Sequence, residues 1–504
     1  MPVWTFFYIL NHIFIVYYIN MNILMISSEA VPFSKSGGLA DVVGALTPAL
    51  IEAGNDARII VPSYNTKFED SGDFVCPLEI EMLDGLEHVE IRQKMVGKTI
   101  YYFVCHTVFN DRIGIYGDTS FTPYSDNFFR FALLCKASLQ LCETLGWKPD
   151  ILHCHDWTAG LAPYFLKVNR GQFFMGTETV FTIHNLAYQG TFPRMDFLFA
   201  NVKPDEQLFS NGQVNMLQAG LVFSDYITTV SPTYAKEIQT PEQGCGLDGI
   251  LVRRKSKLKG IVNGIDVNEW NPQKDELIPH HFSIKKMEGK AKLKKEIQTQ
   301  FGLPVRDDVP LFAMISRLAA QKGFDTVIAC LERILSDMDV QFIIIGTGDK
   351  TLENALKDMA QRHENLSVNI LFSNKAAHLV EAGSDFFLMP SRYEPCGLNQ
   401  LYSLRYGTIP IAHRTGGLAD TIIDVDEYPK EGTGLLFDDL TPDEIYKHIR
   451  RATELYHRTE GNDTMEKIRA RAMDQDFSWS SSADEYINVY RKLIEKGNKI
   501  GEMK

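Results

Sequence analysis

Short runs of β-branched and aromatic residues alternate along the chain with longer segments of helical character, a pattern typical of βαβ units and parallel sheets. The runs are nearly continuous in apolar residues, as expected of strands that helices cover on both faces. They predict strands at residues 22–27, 57–61, 99–104, 150–154, 179–184 and 226–230, and again at 311–316, 341–346, 369–372, 385–390 and 408–412. The pattern therefore predicts an α/β protein with two doubly wound domains and a boundary near residues 255 to 270.

The length of 504 residues also fits two large domains. We assign residues 21–257 to the first domain, 258–476 to the second and 477–504 to a terminal segment. The terminal segment starts with a serine-rich cap and continues as a helix. No low-complexity linker separates the domains, so we expect them to share a close interface.

Residues 1–20 are apolar and aromatic and contain no lysine or arginine. A secretory signal needs a positive segment and a small-residue cleavage site, and neither is present. The length would just span a bilayer, but Asn11, His12 and Asn20 interrupt it. Because Met21 opens "MNILMISSE", a natural beginning for a first strand, we favour a misplaced translation start over a membrane anchor or a genuine extension. We therefore expect no membrane partner.

Composition narrows the class of protein. Hydrophobic residues are 45% and charged residues 23%, as in ordinary soluble globular proteins. The net charge of -13 argues against a nucleic-acid partner, whose binders present a basic face, but leaves room for a small polyanion held by local cations. The eight cysteines form no CxxC pair, so we expect buried thiols and a cytoplasmic location rather than a disulfide framework or a zinc site.

The five-residue sequence GGLAD occurs twice, at 37–41 and at 416–420. Each copy follows a predicted strand, a cation and a hydroxyl residue: Lys35-Ser36 in the first and Arg414-Thr415 in the second. Glycines let a backbone approach a phosphate, and a helix N-terminus directs N–H groups at it. Either the copies mark equivalent corners of two similar domains around one phosphate-bearing ligand, or each is an ordinary strand-to-helix turn.

Other polar residues also follow predicted strands, where ligands bind in open α/β sheets. Arg317 and Lys322 in "SRLAAQKGFD" would suit a diphosphate, unless the loop is merely solvated. Glu394 in "MPSRYEPCGL" would accept hydrogen bonds from sugar hydroxyls, unless it only caps a helix.

The segments "HCHDWTAG" (153–160) and "TIHNLAYQG" (182–190) also end strands. A His-x-His-Asp cluster can bind a metal, but residues on one short turn rarely reach a single ion, so we predict no metal. We favour polar contact with a sugar, with Asp156 acting on a substrate hydroxyl. His184 is either part of this site or a structural histidine.

Taken together, these motifs resemble those of bacterial glycogen synthases and plant starch synthases over residues 21 to 490. The motifs that carry the resemblance, in order, are KSGGLAD, GIYG, DNFFRF, HCHDW, TIHNLAYQG, VSPTYAKEI, GCGLDG, VNGIDVNEWNP, SRLAAQKG, EPCGL and RTGGLADT. The resemblance implies the GT-B fold, with two Rossmann-like domains facing across a cleft. It implies a retaining glucosyltransferase without a cofactor, which transfers glucose from ADP-glucose to the non-reducing end of an α-1,4-glucan.

The resemblance also implies site residues. The first domain would hold the glucan, the second the sugar nucleotide, and the terminal helix would cross back to the first. Catalytic roles are implied for Glu394, His184, Asp156, Arg317 and Lys322. Substrate contacts are implied for Lys35, Gly37, Gly38, Asp41, Asn263, Cys396, Gly397, Thr415, Gly416 and Gly417.

Four positions depart from the usual family pattern. Ser36 replaces a threonine and keeps the hydroxyl, and Cys154 replaces an alanine at a position that we expect to point into the core. Asn399 replaces a common threonine and Gln218 a common lysine, and these two changes put nucleotide or glucan contacts in doubt.

Three rival interpretations make different predictions. Another retaining transferase, such as a sucrose- or trehalose-forming enzyme, would use a small acceptor. A nicotinamide-dependent dehydrogenase would need GxGxxG, and "GTGDKT" at 346–351 lacks the third glycine. A catalytically dead glucan-binding protein would not need the complete set of Lys35, Arg317, Lys322 and Glu394.

Overall fold

The computed structural model describes residues 20–120, 122–169, 171–458, 461 and 464–502. The N-terminal extension predicted over residues 1–20 lies outside this part, apart from Asn20. In the described part of the chain, no helix combines the length and the apolar character needed to cross a bilayer.

The first half of the chain forms one large sheet whose strands run in the order β12-β11-β7-β6-β1-β2-β5-β4-β3. Its central strands pair in parallel, and β3 and β4 add an antiparallel hairpin at one edge. The short strands β8, β10 and β9 form a separate small sheet. The strand bounds are β1 Asn22–Ile26, β2 Asp56–Pro62, β3 Asp73–Met82, β4 Gly85–Val96, β5 Thr99–Cys105, β6 Ile151–His155, β7 Glu178–Ile183, β8 Thr191–Pro193, β9 Phe209–Ser210, β10 Gln213–Asn215, β11 Tyr226–Thr229 and β12 Leu258–Gly260.

Helices cover both faces of this sheet. Helix α3 (Asn127–Leu145), for example, is terminated by Gly146, whose φ of 59° is the left-handed conformation that glycine adopts without strain. The helix bounds are α1 Gly38–Glu52, α2 Thr107–Asn110, α3 Asn127–Leu145, α4 Ala162–Val168, α5 Met216–Phe223, α6 Pro232–Glu237 and α7 Asp248–Arg253.

The second half forms a parallel sheet in the order β15-β14-β13-β16-β17-β18. Stacked phenylalanines at the same level of three neighbouring strands, Phe312, Phe342 and Phe386, fill one face of it. The strand bounds are β13 Leu311–Ile315, β14 Gln341–Ile345, β15 Leu366–Asn369, β16 Phe386–Met389, β17 Ile409–His413 and β18 Leu435–Phe437. The helix bounds are α8 Glu288–Gln300, α9 Phe324–Asp337, α10 Lys350–Ala360, α11 Asn374–Gly383, α12 Asn399–Arg405, α13 Gly416–Thr421, α14 Pro442–Tyr456, α15 Met465–Met473 and α16 Trp479–Glu502.

The prediction of two doubly wound α/β sheets is confirmed, and every predicted strand has a counterpart. The largest error is at β15, which ends at Asn369 where the predicted strand began. This strand lies at a sheet edge and is buried only in part, so a continuous apolar run was the wrong signal for it. The hairpin β3–β4 was missed for the same reason, because its residues alternate: Leu78 and Ile80 are buried, whereas Glu79 is exposed.

The two halves are in contact. Helix α16 follows the second half and packs against α1, with Tyr486 and Tyr490 fully buried in the first half's core. Helix α6 of the first half packs on α13 of the second, where Thr233 donates from its backbone N–H and its hydroxyl to Asp420 at 2.9 and 2.6 Å. The carboxyl edges of the two sheets therefore share a boundary.

Candidate active site

Both sheets reverse their strand order at one point, and ligands of doubly wound proteins bind in the crevice at such a point. In the first sheet the reversal lies between β1 and β6, and in the second between β13 and β16. Most of the predicted site residues follow these strands or an adjacent one. The first glycine turn follows β1, Asp156 follows β6 and His184 follows β7, while Arg317 follows β13, Glu394 follows β16 and Gly416 follows β17.

The first glycine turn binds a carboxylate of its own half. Glu29 accepts hydrogen bonds from the backbone N–H of Ser36, the backbone N–H of Gly37 at 3.2 Å and the hydroxyl of Ser36 at 3.1 Å. The turn is otherwise open, because Gly37 and Gly38 are exposed. Lys35 lies on its rim and pairs with Asp41 at 2.7 Å.

Glu29 is a site residue that the sequence analysis missed. Its carboxylate is buried and also accepts from the hydroxyl of Tyr116 at 2.9 Å, and burial raises its pKa. Tyr116 belongs to the GIYG motif, and the guanidinium of Arg130 holds the neighbouring carbonyl of Ile115 at 2.9 Å. The available signal was an acid placed directly after the first predicted strand, in "MISSEA".

Asp156 has an unusual backbone conformation, with φ of 54° and ψ of −174°. A non-glycine residue pays conformational strain there, and such strain collects at functional sites. Its Oδ1 accepts the backbone N–H of His184 at 2.7 Å. Burial, with a smaller contribution from the negative charge of Glu29, raises the pKa of Asp156 to about 7, so this carboxyl is partly protonated near neutrality.

His184 is partly exposed at the end of β7, and its Nε2 lies 3.0 Å from Nδ1 of His155. Burial lowers the pKa of His184 to about 3 and holds the imidazole neutral. Asp156, Glu29 and His184 therefore form one polar cluster at the carboxyl edge of the first sheet.

The second half presents an acid and two cations at its carboxyl edge. Glu394 is buried, and its Oε2 accepts from Nζ of Lys322 at 2.5 Å and from the hydroxyl of Ser391 at 2.9 Å. Arg317 is exposed, and within the described part of the chain its guanidinium has no carboxylate partner, only a 3.3 Å contact with Gln321. A diphosphate would find one uncommitted guanidinium and one lysine held in place by a carboxylate.

A small cavity of about 50 Å³ lies beside Glu394 and Lys322. Gly397 and Asn399 also line it, and the amide of Asn399 donates to the carbonyl of Ile315 at 2.8 Å. The departure from the family pattern at residue 399 therefore lies beside the candidate catalytic acid.

The second glycine turn is packed where the first is open. Gly416 has a φ of 44°, and a Cβ there would lie 1.9 Å from the backbone oxygen of Glu394. A Cβ at Gly417 would lie 2.0 Å from the backbone oxygen of Cys396. Because the N–H of Gly417 also donates to the carbonyl of Glu394 at 3.0 Å, this turn fixes the chain that carries the acid.

The second turn also binds a carboxylate, and that carboxylate comes from the other half. Glu237 at the end of α6 accepts from the hydroxyl of Thr415 and from the N–H of Gly416, both at 3.0 Å. Its second carboxylate oxygen is buried without a partner among the described residues. Glu237 was not predicted, and nothing in "TYAKEI" distinguishes it from a surface acid.

Further contacts bring the two edges together. The backbone of Asn263 lies at the thiol of Cys396, and Tyr393 lies against Asn185 across the boundary. A Cβ at Gly38 would touch Leu398 of the second half at 4.0 Å. The structure therefore gathers the predicted residues along one boundary, with the first turn on one side and Glu394 on the other.

One aromatic residue was also missed. Phe372 follows β15 at the carboxyl edge of the second sheet, and 93% of its surface is exposed. The sequence showed this residue only as the phenylalanine at the end of a predicted strand, and the structure places its ring in solvent beyond β15.

Of the other departures, Ser36 lies in the first glycine turn, where its hydroxyl donates to Glu29, and two fall away from the site. Cys154 is fully buried in the core, as predicted, and Gln218 is buried with its amide on the carbonyl of Gln207 at 2.8 Å. The expectation of buried thiols is wrong for Cys245, which is exposed in the GCGLDG loop, and Cys76 is only half-buried. Among the residues that the structure describes, no three histidine, cysteine or acidic side chains are arranged to hold a metal ion.

Two doubly wound sheets that meet at their carboxyl edges, with cations, acids and glycine turns along the boundary, define a glycosyltransferase of the GT-B class. The family described as starch synthase catalytic domain matches residues 22–253, and the family described as glycosyl transferases group 1 matches residues 295–472. The chain belongs to the family of glycogen and starch synthases.

Individual relatives are similar over almost the whole chain. A glycogen synthase of Treponema denticola is 42% identical over 494 residues, which cover 94% of this chain and 99% of the relative. Glycogen synthase 2 of Geobacter sulfurreducens is 43% identical over 485 residues, with the same coverage.

One solved structure agrees with the family assignment, and a second shares the fold. The catalytic domain of starch synthase IV from Arabidopsis thaliana, bound to ADP and acarbose, superposes with a TM-score of 0.85 at 31% identity and covers 94% of this chain and 100% of that one. A sucrose-phosphate synthase from Thermosynechococcus elongatus superposes with a TM-score of 0.58 at 16% identity over 95% of this chain and 100% of that one, which is a likeness of fold alone.

Proposed function

We propose that this protein transfers glucose from ADP-glucose to the non-reducing end of an α-1,4-glucan, with retention of configuration. The observation that carries the donor side is the group of Arg317, Lys322 and Glu394 at the reversal point of the second sheet. The starch synthase that shares the fold was solved with ADP and acarbose, which supports the proposal that this chain binds a nucleoside diphosphate and a sugar chain.

The leaving diphosphate accumulates negative charge as the glycosidic bond breaks. Arg317 is free to pair with it, and Lys322 is held within reach by its 2.5 Å contact with Glu394. Preorganised cations of this kind stabilise the transition state without further rearrangement. Glu394 then holds the lysine in place and offers its remaining oxygen to a sugar hydroxyl.

Retention fits attack on the same face from which the diphosphate leaves. In that scheme a phosphate oxygen takes the proton of the acceptor hydroxyl while the glucosyl cation is held between the sheets. Glu394 is paired with Lys322, and Asp156 is partly protonated, so neither is a free carboxylate nucleophile. Isolation of a glucosyl-Glu394 or glucosyl-Asp156 adduct would contradict this mechanism.

Two further features are candidates for contact with the glucan acceptor and with the nucleobase of the donor. The open first glycine turn, with Lys35 on its rim, faces the boundary from the first half and leaves room for a glucan end. Phe372 offers an exposed ring on which a nucleobase could stack. The free cysteines fit a reducing compartment, and we place the reaction in the cytoplasm.

The decisive experiment measures incorporation of labelled glucose into glycogen from ADP-glucose and from UDP-glucose in parallel, with Lys322→Ala as the inactive control. We expect incorporation from ADP-glucose. Preference for UDP-glucose would overturn the donor assignment and direct attention to Asn399, which lines the cavity beside Glu394. No incorporation from either donor would overturn the proposed function.

A further inference from the structure

Three histidines form a continuous row at the candidate site, in which His153 and His155 are buried and His184 is partly exposed. The ring centroids of His153 and His155 lie 4.1 Å apart with the planes tilted by 33°, and those of His155 and His184 lie 5.3 Å apart. His153 is held at both ends, by the hydroxyl of Tyr490 at 2.8 Å and by that of Thr182 at 2.5 Å. The row therefore runs from helix α16 to the one histidine that reaches the boundary between the halves.

All three histidines are neutral at physiological pH, because burial lowers the pKa of His153 and His184 to about 3 and that of His155 well below its usual range. A neutral imidazole carries one proton, on either Nδ1 or Nε2. The 3.0 Å contact between Nδ1 of His155 and Nε2 of His184 needs one proton between the two nitrogens. That leaves two possible arrangements.

In the first arrangement, His155 carries its proton on Nδ1 and donates to His184, whose own proton is then on Nδ1. In the second, His184 donates from Nε2, and His155 must carry its proton on Nε2. Nε2 of His155 is buried and has no partner among the described residues. A buried N–H without an acceptor is rarer in proteins than an acceptor without a donor, so the first arrangement is favoured.

We propose that His155 is a positioning residue that holds His184 as the Nδ1–H tautomer and so presents a hydrogen-bond donor to a sugar hydroxyl at the boundary. Nδ1 of His184 has no partner among the described residues, and His184 is partly exposed, so this N–H is available to a ligand. With the opposite tautomer His184 would offer only an acceptor. The inference rests on the proposed function for the identity of the ligand, but not for the tautomer itself.

The row explains why the tautomer is stable. Close contact with the tilted ring of His153 restricts the His155 ring, and His153 is itself held between α16 and the sheet by hydrogen bonds to Tyr490 and Thr182. The backbone N–H of His184 is held separately by Asp156 at 2.7 Å. Two consecutive residues therefore orient His184: His155 holds its side chain and Asp156 holds its backbone.

The first test is the ¹⁵N NMR spectrum of the histidine rings in the full-length protein without substrate, with the His184 signals assigned by their loss in His184→Gln. Protonated and unprotonated ring nitrogens differ widely in ¹⁵N shift, and we expect Nδ1 of His184 to be protonated and Nε2 unprotonated. The reverse would overturn the proposal, and this measurement needs neither a substrate nor a variant of His155.

The second test compares His155→Leu with His155→Asn, whose amide can still donate near the position of Nδ1. We expect His155→Leu to lose the Nδ1–H signature of His184 and to reduce kcat/KM for the sugar nucleotide by about 10- to 100-fold, the effect of one misdirected hydrogen bond. His155→Asn should keep the signature and recover most of the activity. A matched control is His448→Leu, which removes a buried histidine from the second half and should leave kcat/KM unchanged.

Equal kinetic losses in His155→Asn and His155→Leu, with the His184 tautomer unchanged in both, would make His155 a packing residue only and overturn the proposal. If the wild-type protein transfers no glucose from either sugar nucleotide, the proposed function fails, while the NMR result still decides the tautomer. The two failures are therefore distinguishable.

Discussion

The two copies of GGLAD have the same sequence, and each follows a parallel strand at its carboxyl end, yet their surroundings differ. The first follows β1 at the reversal point of its sheet, whereas the second follows β17, one strand away from the reversal between β13 and β16, so the two turns are not at equivalent corners. At the first copy, a Cβ built on Gly37 meets nothing within 4 Å, and the turn is exposed. At the second copy, Gly416 is buried, and a Cβ would collide with the backbone that carries Glu394. At the second turn only glycine fits, because a side chain would collide with neighbouring backbone. At Gly37 of the first turn a side chain would meet open space.

The carboxylates bound by the two turns differ in the same way. Glu29 binds the first turn from within its own half and fixes its shape. Glu237 reaches the second turn from the other half and ties the two halves together. The same five-residue motif therefore forms an exposed turn in the first sheet and a packed contact between the two halves in the second.

The largest effect on activity is expected from the two cations at the carboxyl edge of the second sheet. Arg317→Ala or Lys322→Ala should lower kcat by about 10²–10³, because each removes a preorganised donor to the leaving diphosphate. Steady-state kinetics with ADP-glucose would measure this, with Arg306→Ala as the control, since Arg306 pairs with Asp308 and Asp339 away from the boundary. Near-normal rates in both Arg317→Ala and Lys322→Ala would refute the assignment of these two residues to the leaving diphosphate.

The next largest effect is on stability, and it should differ between alanine substitutions in the two glycine turns. Gly416→Ala should lower the free energy of unfolding by about 2–3 kcal/mol, because the added methyl collides with backbone and the φ of 44° disfavours alanine. Gly37→Ala should cost less than about 1 kcal/mol, because its φ of −153° suits any residue. Urea unfolding of the two variants tests the comparison, and equal losses would mean that the first turn is packed in solution.

The cations before the two turns should also differ in role. Lys35 is exposed, and within the described ranges its one ion pair is with Asp41, so Lys35→Ala should lower kcat/KM about tenfold with little change in stability. Arg414 is paired with both Glu427 and Asp438, so Arg414→Ala should cost about 1 kcal/mol of stability and leave kcat/KM nearly unchanged. Steady-state kinetics and urea unfolding of both variants would test this difference. A loss of stability in Lys35→Ala together with a loss of activity in Arg414→Ala would assign the structural role to the cation of the first turn.

The smallest effect concerns the polar cluster beside the first turn. The folded-state pKa of Asp156 is raised to about 7, so the native state binds the extra proton and loses stability as pH rises from about 4 to 7. Asp156→Asn should remove this loss and stabilise the protein at pH 8 but not at pH 4. We expect a difference of order 1 kcal/mol, since relaxation reduces the roughly 1.4 kcal/mol per pKa unit that linkage allows.

Urea midpoints at pH 4, 6 and 8 would check this prediction, and Asp150→Asn, a change at a partly exposed acid at the opposite end of β6, is a matched control. The same Asp156→Asn protein should have reduced transferase activity, so stability and activity would move in opposite directions. A stability difference that does not depend on pH would contradict the raised pKa.

Sequence reasoning identified the strands of both sheets best where they are buried on both faces, since apolar runs are then continuous. It failed at edges, for β15 and for the hairpin β3–β4, where one face meets solvent and the pattern alternates. For the site it selected Arg317, Glu394 and Asp156, because polar residues directly after buried strands have few structural reasons to be there. It missed Glu29 and Glu237, whose roles depend on what folds against them. It counted Phe372 as the last residue of a strand, whereas the ring is exposed beyond the end of β15.

By itself, the sequence determined the doubly wound architecture, the motifs of the family and the strand ends at which chemistry would occur. These properties are local, because periodicity, glycine turns and helix starts are fixed by neighbours along the chain. Only the tertiary structure decided that one GGLAD turn is open and the other buried, that Glu237 binds the opposite half, and that three histidines align behind His184. Those properties depend on contacts between residues far apart in sequence, and the burial that such contacts create shifts the pKa values of Glu29, Asp156 and His184.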